Sequence, residues 1–450
     1  MLELIIGALV TLVVGRAIFN GYSASGVLLS GGLLLLVVTA LMGKPVLPGK
    51  VASTGHLVID IFEYIRFLLN DRGGGLGMLI MVLCGFAGYM NHIGANAILI
   101  KLVSKPLSVI KSPYILLVAA YLVACAMSLA VNSATGLGVL LMATLFPLMV
   151  NMGISRGAAA AVCASPAAII LSPTSGDVVL AAQASNLPLL DFAFKLTLPI
   201  SLIALVCMAV THFFWQRYLD KKYGEENAPV AADDLKATAP AFYAILPFAP
   251  IIGVLIFDGK WGPQLDIVTI IVMCMVLSSL LELVRMRNGK EMLDGLQVCW
   301  RSMAEAFSGV VILLVAAGVF AQGLMTIGFI KTLLGHAQDL GSGGMIMMLS
   351  LVVITTLAAF TTGSGNAPFY AFVELIPNLA STLGINPGYL VIPMLQASNL
   401  GRTISPVSGV VVACAGMGKL SPFEVVKRTS MPVAVGLLVV IVATQIMVPA

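Results

Sequence analysis

The sequence predicts an all-α polytopic membrane protein, built as an inverted repeat with five spans and one re-entrant hairpin in each half and with broken helices at the membrane midplane. Three observations indicate this fold. Of the 450 residues, 59% are hydrophobic and only 10% are charged, whereas a soluble protein carries roughly 25% charged residues. Apolar runs of about 20 residues, which suffice to cross a bilayer, recur along the chain. Two of these runs, 157–186 and 388–418, are interrupted by the same short polar pattern.

The interruption in the first run is Ser172–Asp177, with the sequence Ser-Pro-Thr-Ser-Gly-Asp. Proline removes a backbone donor and clashes with the preceding helical turn, and irregular backbone at membrane depth persists only where it is buried in protein or lines a cavity. Residues 405–409, Ser-Pro-Val-Ser-Gly, interrupt the second run in the same way. Paired interruptions at matching places in two halves are typical of the substrate site of a secondary transporter.

The first half, 1–216, is predicted to contain a scaffold, 1–72, and a hairpin and broken-helix unit, 112–186. Its elements are, in order, spans 2–19 and 26–43, an amphipathic interfacial helix 51–72, a span 77–103, a re-entrant hairpin of 113–130 and 137–150 joined by the polar tip 132–136, the broken span 157–186 and a span 189–215. Residues 217–239 form the longest polar stretch and are predicted to be a linker between the halves.

The second half, 240–450, repeats this order, with a scaffold 240–307 and a hairpin and broken-helix unit 343–418. Its elements are spans 242–257 and 265–284, an amphipathic helix 292–307, a span 310–334, a hairpin of 344–360 and 369–379 around the polar tip 362–366, the broken span 388–418 and a final span 423–448. Aligning Ser172 with Ser405 also aligns Pro173 with Pro406, and identical residues continue into the following spans.

The charges predict the orientation of the chain. An odd number of full crossings in each half gives the two halves opposite topologies. With the linker 217–239 in the cytoplasm, most of the 24 lysines and arginines lie on the cytoplasmic side, as the positive-inside rule expects. Both termini then lie on the other side, and the two hairpins open from opposite faces. This symmetry is what alternating access requires.

Four polar clusters are predicted to converge: the tips 132–136 and 362–366 and the breaks 172–177 and 405–409. Half-helices that begin at a break present free N–H groups and a positive dipole end, which suit a carboxylate. The alternative is that these hydroxyls and amides only satisfy the backbone of kinked helices. Together with two residues near the second break, the predicted substrate-binding residues are Asn132, Ser133, Thr135, Ser172, Thr174, Ser175, Thr362, Ser364, Asn366, Asn399, Arg402, Ser405 and Ser408.

Two charges break the symmetry, since Asp177 aligns with Val410 and Arg402 aligns with Ile169. An ionisable group inside the membrane is a functional hypothesis by default. Arg402 is a candidate clamp for a carboxylate through two parallel hydrogen bonds, and Asp177 is a candidate coupling residue that exchanges a proton or holds a cation. Alternatively, the two residues neutralise each other as a structural ion pair. By contrast, Glu374 and Arg156, near helix ends, are expected to be solvated.

Other functional classes fit less well. An intramembrane hydrolase that uses Asp177 needs a second catalytic aspartate, and Ser364 has no histidine or lysine placed to serve it as a base. A channel does not need two oppositely oriented hairpins. No histidine or cysteine spacing predicts a metal site, no cofactor is implied, and no basic patch suggests nucleic acid. The residues therefore favour a carrier over an enzyme.

Five motifs resemble one known family, the DcuC-type anaerobic C4-dicarboxylate carriers of the ion-transporter superfamily. They are Asn132-Ser-Ala-Thr-Gly-Leu-Gly138, Gly157-Ala-Ala-Ala-Ala161, Ser172-Pro-Thr-Ser-Gly-Asp177, Thr361-Thr-Gly-Ser-Gly-Asn-Ala-Pro-Phe-Tyr370 and Gln396-Ala-Ser-Asn-Leu-Gly-Arg402. The resemblance covers essentially the whole chain. It implies a multi-pass carrier of the bacterial inner membrane, with periplasmic termini, that exports succinate or exchanges it for fumarate. Malate and aspartate are further expected substrates, and a related carrier for another organic anion is the alternative.

More distantly, the plan is similar to that of the divalent-anion symporters, which place a Ser-Asn-Thr motif at each hairpin tip and work as dimeric elevators. This similarity implies a homodimer in the lipid bilayer and an elevator motion. Here the first tip, 132–135, has the same residue types in another order, and the second tip, 364–366, lacks the threonine. The departure weakens the expectation of sodium coupling, and protons carried by Asp177 are at least as well supported.

Overall fold

A computed structural model of the chain describes residues 2–20, 22–48, 51–107, 109–223, 239–257, 263–329 and 343–448. Every regular element in these ranges is helical, so the prediction of an all-helical fold is confirmed. The helices of the first half are α1 Leu2–Phe19, α2 Ala24–Leu41, α3 Leu57–Gly74, α4 Leu76–His92, α5 Ala95–Leu107, α6 Pro113–Met127, α7 Ala134–Asn151, α8 Arg156–Ala164, α9 Gly176–Ala184 and α10 Leu198–Tyr223, the last preceded by a π-helical segment Asp191–Thr197.

The second half begins with a 3-10 segment, Ala241–Phe248, that leads into a short helix. Its helices are α11 Ala249–Ile256, α12 Ile267–Met286, α13 Gly289–Ala306, α14 Ile312–Ile327 after a π-helical segment Phe307–Val311, α15 Gly343–Thr362, α16 Asn366–Val373, α17 Ile376–Leu383, α18 Pro387–Thr403, α19 Gly409–Gly418 and α20 Pro422–Met447. Among the described residues, seven helices are long and apolar enough to cross a membrane, or eight if the bent pair α3 and α4 is one span. The chain is therefore a multi-pass membrane protein.

Both predicted breaks are interruptions of helical structure. The first separates α8 from α9 and includes a 3-10 turn, Pro166–Ala168. Pro173, in a turn, and the extended residue Ser175 before Gly176 prevent the two short helices from joining. The second break lies between the end of α18 at Thr403 and the start of α19 at Gly409. The hairpins also form, since α6 and α7 meet at the first tip and α15 and α16 meet at the second.

Three predicted elements are corrected. The predicted span 77–103 is two helices, because Gly94 adopts a φ of +78° that ends the helical path between α4 and α5. The outgoing arm of the second hairpin, predicted as 369–379, is also two helices, α16 and α17. Helix α10 continues to Tyr223, into the segment predicted as the linker. Residues 224–238 of that linker, and the end of the predicted span 310–334 after residue 329, lie outside the described residues.

The packing places the broken helices at the centre. Almost every residue of α8 and α18 is buried, and α18 packs against α15, α20 and α9. Helix α2 packs against α14 and α4 packs against α13. The short helices of the first break and α18 are thus enclosed, as is α14, whereas the hairpin arm α15 is only 33% buried. The inverted topology and the ten full spans stay predictions.

Candidate functional site

The first hairpin tip contacts both breaks. Ser133 caps α7, where its hydroxyl accepts a hydrogen bond from Gly136 N at 3.1 Å. The neighbouring Asn132 donates from Nδ2 to the carbonyl oxygen of Thr174, in the first break, at 3.5 Å. Thr135 reaches the second break, since its Oγ1 lies 3.2 Å from the position that a Cβ on Gly409 would occupy. The predicted convergence of this tip with the breaks is present in the structure.

The second hairpin tip packs on the second break through its glycines. Gly363 adopts a φ of +71°, and a Cβ on it would stand 2.8 Å from the carbonyl oxygen of Val407 and 2.9 Å from the backbone of Ser408. A Cβ on Gly365 would stand 2.7 Å from Oδ1 of Asn399, on α18. Real Cβ atoms do not approach this closely, so a side chain at Gly363 would overlap the backbone of the second break, and one at Gly365 would have to displace the amide of Asn399.

A cavity of about 510 Å³ lies between the first tip, the first break and helices α4, α13, α16 and α18. Its volume is in the range of about 300–1,000 Å³ that is usual for small-molecule sites. Seven predicted site residues line it, namely Asn132, Ser133, Thr174, Ser175, Asp177, Asn366 and Arg402. Polar residues that sequence reasoning did not select also line it, namely Asn91, Asn96, Ser302, Glu305 and Tyr370.

Arg402 lines this cavity and has an unused hydrogen-bond donor. Its Nη2 donates to the carbonyl oxygen of Ala167, in the first break, at 2.8 Å. Its Nε is buried and has no hydrogen-bond partner. In the described part of the chain, no carboxylate lies within 4.0 Å of its guanidinium nitrogens, Asp177 included. The alternative of a structural ion pair between Arg402 and Asp177 is therefore not what this structure contains.

Asp177 is buried in the first turn of α9, where the positive end of the helix dipole favours an anion. The hydroxyl of Tyr370 donates to its Oδ1 at 2.5 Å. Nδ2 of Asn399 donates to its Oδ2 at 3.4 Å. Each carboxylate oxygen thus has a neutral donor from the second half of the chain.

The other predicted site residues do not line this cavity, and most of them bond to backbone. Ser172 donates to the carbonyl oxygen of Leu129 at 3.1 Å. Thr362 donates to Ala358 O at 2.7 Å, and the hydroxyl of Ser364 accepts from Ala367 N at 3.3 Å. The remaining positions are Thr135, Asn399, Ser405, whose hydroxyl accepts from Val407 N, and Ser408, whose buried hydroxyl has no partner. Several of these contacts match the alternative in which hydroxyls satisfy kinked helices.

Two structurally important residues were missed. Gln396 forms two hydrogen bonds with the backbone of Ile170, one from Ile170 N to Oε1 at 2.9 Å and one from Nε2 to Ile170 O at 3.2 Å, and so satisfies the non-helical backbone of the first break. Tyr370 is the partner of Asp177. Both lie inside the motifs that carry the family resemblance, but nothing local marks their partners, because these are more than 190 residues away.

The two residues expected to be solvated have protein partners. Glu374 is mostly buried and pairs with Arg72 of α3, with Oε2 and Nη2 2.7 Å apart. Arg156 donates from Nη2 to the carbonyl oxygen of Gly418 at 3.0 Å. The expectation was wrong because helix ends in this fold abut other helices rather than water.

The chemistry of the cavity suits a small organic dianion. One guanidinium, several amides and hydroxyls and the amino ends of short helices offer donors, while Asp177 is the one carboxylate that is buried at its wall. Among the described residues, no group of three or more metal-ligating side chains is close enough to hold a metal ion.

Comparison with known families gives a match over nearly the whole chain. The family described as "C4-dicarboxylate anaerobic carrier", DcuC, matches residues 2–449. The chain is 68% identical, over 448 residues, to the anaerobic C4-dicarboxylate transporter DcuC of Escherichia coli K12, with 100% of this chain and 97% of that protein covered. It is 61% identical, over 452 residues, to the probable anaerobic C4-dicarboxylate transporter DcuC of Vibrio cholerae, with 100% and 98% covered.

Two solved transporters share the fold. The YdaH transporter of Alcanivorax borkumensis superposes with a TM-score of 0.58 at 16% identity, over 94% of this chain and 97% of that one. MtrF of Neisseria gonorrhoeae, described as one of a class of antimetabolite efflux pumps, superposes with a TM-score of 0.61 at 14% identity, over 94% of each chain. At these identities the likeness establishes the fold alone.

Proposed function

The chain belongs to the DcuC family of anaerobic C4-dicarboxylate carriers, and on that premise we propose that it moves C4-dicarboxylates across the bacterial inner membrane by secondary transport. Its family and its close relatives are transporters rather than enzymes. The proposed substrates are succinate, fumarate, malate and aspartate, with succinate efflux and exchange of fumarate for succinate as the transport modes. The observation that carries this proposal is Arg402, which lines the cavity and whose buried Nε has no hydrogen-bond partner.

In the proposed binding mode the two carboxylates of the substrate are recognised at different places. The guanidinium of Arg402 binds one carboxylate through parallel hydrogen bonds. The second carboxylate accepts from the amide and hydroxyl of Asn132 and Ser133 at the first tip and from the backbone at the start of α9. A monocarboxylate occupies only one of these places, so the site discriminates by the number of carboxylates.

Asp177 is the proposed coupling residue, and a proton is the proposed coupling ion, with sodium as the alternative. Its carboxylate is buried at the cavity wall and accepts only neutral donors, so that a proton or a cation there changes the charge of the site directly. This charge change alters the affinity for a dianion, and substrate and ion are thereby linked.

The proposed mechanism is an elevator motion of the hairpins and broken helices against the remaining helices, in a homodimer. In this proposal the linker 217–239 is cytoplasmic, as the positive charges favour. The periplasmic termini belong to the same proposal, as does the inverted repeat, whose symmetry would relate an inward-open to an outward-open state.

The test is counterflow of labelled succinate into proteoliposomes that contain unlabelled succinate. Arg402→Ala is expected to lower the rate about 100-fold or more, because truncating a buried charge that binds a charged partner removes several kcal/mol. The matched control is Arg66→Ala, since Arg66 lies on the exposed surface and pairs only with Glu63. Arg66→Ala should transport like the parent protein. Counterflow of Arg402→Ala at the parent rate contradicts the proposal.

The substrate and the coupling ion are tested with the same vesicles. Preloading with fumarate or aspartate is expected to drive uptake of labelled succinate, and preloading with citrate is not. A pH gradient is expected to change net succinate movement, and a sodium gradient is not. Uptake of labelled succinate that is driven by preloaded citrate favours a different organic anion as substrate. Net succinate movement that is driven by a sodium gradient contradicts proton coupling.

A further inference from the structure

One hydrogen bond joins the second hairpin to the proposed coupling residue. Tyr370 lies on α16, the outgoing arm of that hairpin, and is 1% exposed. Its hydroxyl donates to Oδ1 of Asp177, on α9 of the first half, at 2.5 Å. The same hydroxyl accepts from Nδ2 of Asn366, one helical turn earlier, at 3.5 Å. Both Tyr370 and Asp177 line the cavity.

The hairpin cannot move away from α9 without breaking this bond. Helix α16 packs directly against α9, α14 and α18, and the tip next to it docks on the second break through Gly363. Hydrogen bonds to an ionised acceptor are shorter and about twice as strong as those between neutral groups. The hold of Tyr370 on Asp177 therefore depends on whether the carboxyl group is charged.

We propose that Tyr370 is a positioning residue that keeps the second hairpin closed against α9 while Asp177 is charged, so that protonation of Asp177 releases the hairpin. This inference rests on the proposed coupling role of Asp177. It adds a second effect of the proton. Besides changing the charge of the cavity, protonation of Asp177 changes the position of the second hairpin.

Two neutral side chains donate to Asp177: Tyr370, which is part of the second hairpin, and Asn399, which is on α18. Arg402 approaches from α18 and Cys84 from α4, and both interact electrostatically with Asp177. The segment before α10 also packs on α9. Its Asp191 and Lys195 pair with each other at 2.7 Å on the exposed surface.

The test is the pH profile of succinate counterflow for Tyr370→Phe, which removes only the hydroxyl. The matched control is Tyr121→Phe, because Tyr121 is also fully buried but its hydroxyl contacts the side chains of Met208, at 3.7 Å, and Cys125. The midpoint of the profile is expected to move toward higher pH by about one unit in Tyr370→Phe, since a donor to the carboxylate is lost. In Tyr121→Phe it should stay at the parent value.

A second measurement is used if Tyr370→Phe folds but does not transport. The rise in melting temperature caused by succinate, recorded from acidic to alkaline pH, should show the same displacement of its midpoint in Tyr370→Phe. A pH profile of Tyr370→Phe that superimposes on that of the parent, by either measurement, overturns the inference.

The variant Asp177→Asn separates this inference from the proposal on which it rests. If Asp177→Asn keeps the parent pH profile, the coupling role of Asp177 fails and the inference falls with it. If Asp177→Asn loses the profile while Tyr370→Phe keeps it, only the role of Tyr370 fails. In the Asp177→Asn background, Tyr370→Phe is expected to cause no further shift, and a further shift shows that its effect does not pass through Asp177.

Discussion

The docking of the second hairpin tip on the second break predicts a large difference between two glycine substitutions. Gly363 and Gly384 have similar left-handed conformations, with φ of +71° and +66°. An alanine in this region is strained by about 1–2 kcal/mol wherever it stands. A Cβ at Gly384 meets nothing within 4 Å, whereas a Cβ at Gly363 would stand 2.8–2.9 Å from the backbone of Val407 and Ser408.

Gly363→Ala should therefore add an overlap to the conformational strain. Ordinary contact begins near 3.4 Å, so the tip must retreat from the break by about 0.5 Å. Overpacking of this kind destabilises by about 1–3 kcal/mol, in addition to the strain that both variants share. Because a displacement of about 1 Å near a reacting centre can lower a rate 100-fold, we expect succinate counterflow to fall roughly tenfold.

Gly384→Ala should be destabilised only by the conformational strain that both variants share, and it should keep the parent rate of counterflow. The assay is thermal unfolding of both purified variants, followed by counterflow in proteoliposomes at equal protein content. If the two variants unfold at the same temperature and transport at the same rate, the close packing of the tip on the second break does not govern the site, and the reasoning is refuted.

Two further predictions concern buried charges at a distance from the cavity. Arg428, which is fully buried, donates to Asp220 at 2.6 Å and to Glu424 at 2.9 Å. Arg428→Met should lower the free energy of unfolding by roughly 1.5–3 kcal/mol, because it removes charge-assisted hydrogen bonds from two partly buried carboxylates that keep other donors. Equal unfolding midpoints would contradict this. For the pair of Arg72 and Glu374, a double-mutant cycle with Arg72→Met and Glu374→Gln should give a coupling energy of about 1 kcal/mol or more in unfolding, and additive single effects would show that the pair contributes nothing.

Much of the fold follows from local signals. A cluster of proline, glycine and serine is a local signal that ends a helix, and the second break, predicted at 405–409, agrees with helix ends at Thr403 and Gly409. The effect of a single glycine was not predicted, since Gly94 divides a predicted span into α4 and α5. One glycine is often tolerated within a helix, and only its φ distinguishes the two cases.

The site was predictable as a meeting of four clusters but not as a set of contacts. Asp177 and Arg402 stood out because an ionisable residue at membrane depth is unusual. Their partners did not, since the tyrosine that bonds Asp177 is 193 residues away and the glutamate that pairs with Arg72 is 302 residues away. Such pairs depend on how helices pack in three dimensions, and a single sequence carries no periodic or local sign of them.

The most direct test of the central claim, that the cavity binds a C4-dicarboxylate, uses a cysteine already present in its wall. Cys84 lines the cavity beside Asp177, so a bound substrate should shield it. We predict that succinate slows the alkylation of Cys84 by a small charged thiol reagent severalfold, that acetate does not, and that Cys84→Ser removes the protected label. A labelling rate of Cys84 that is the same with and without succinate would contradict the account.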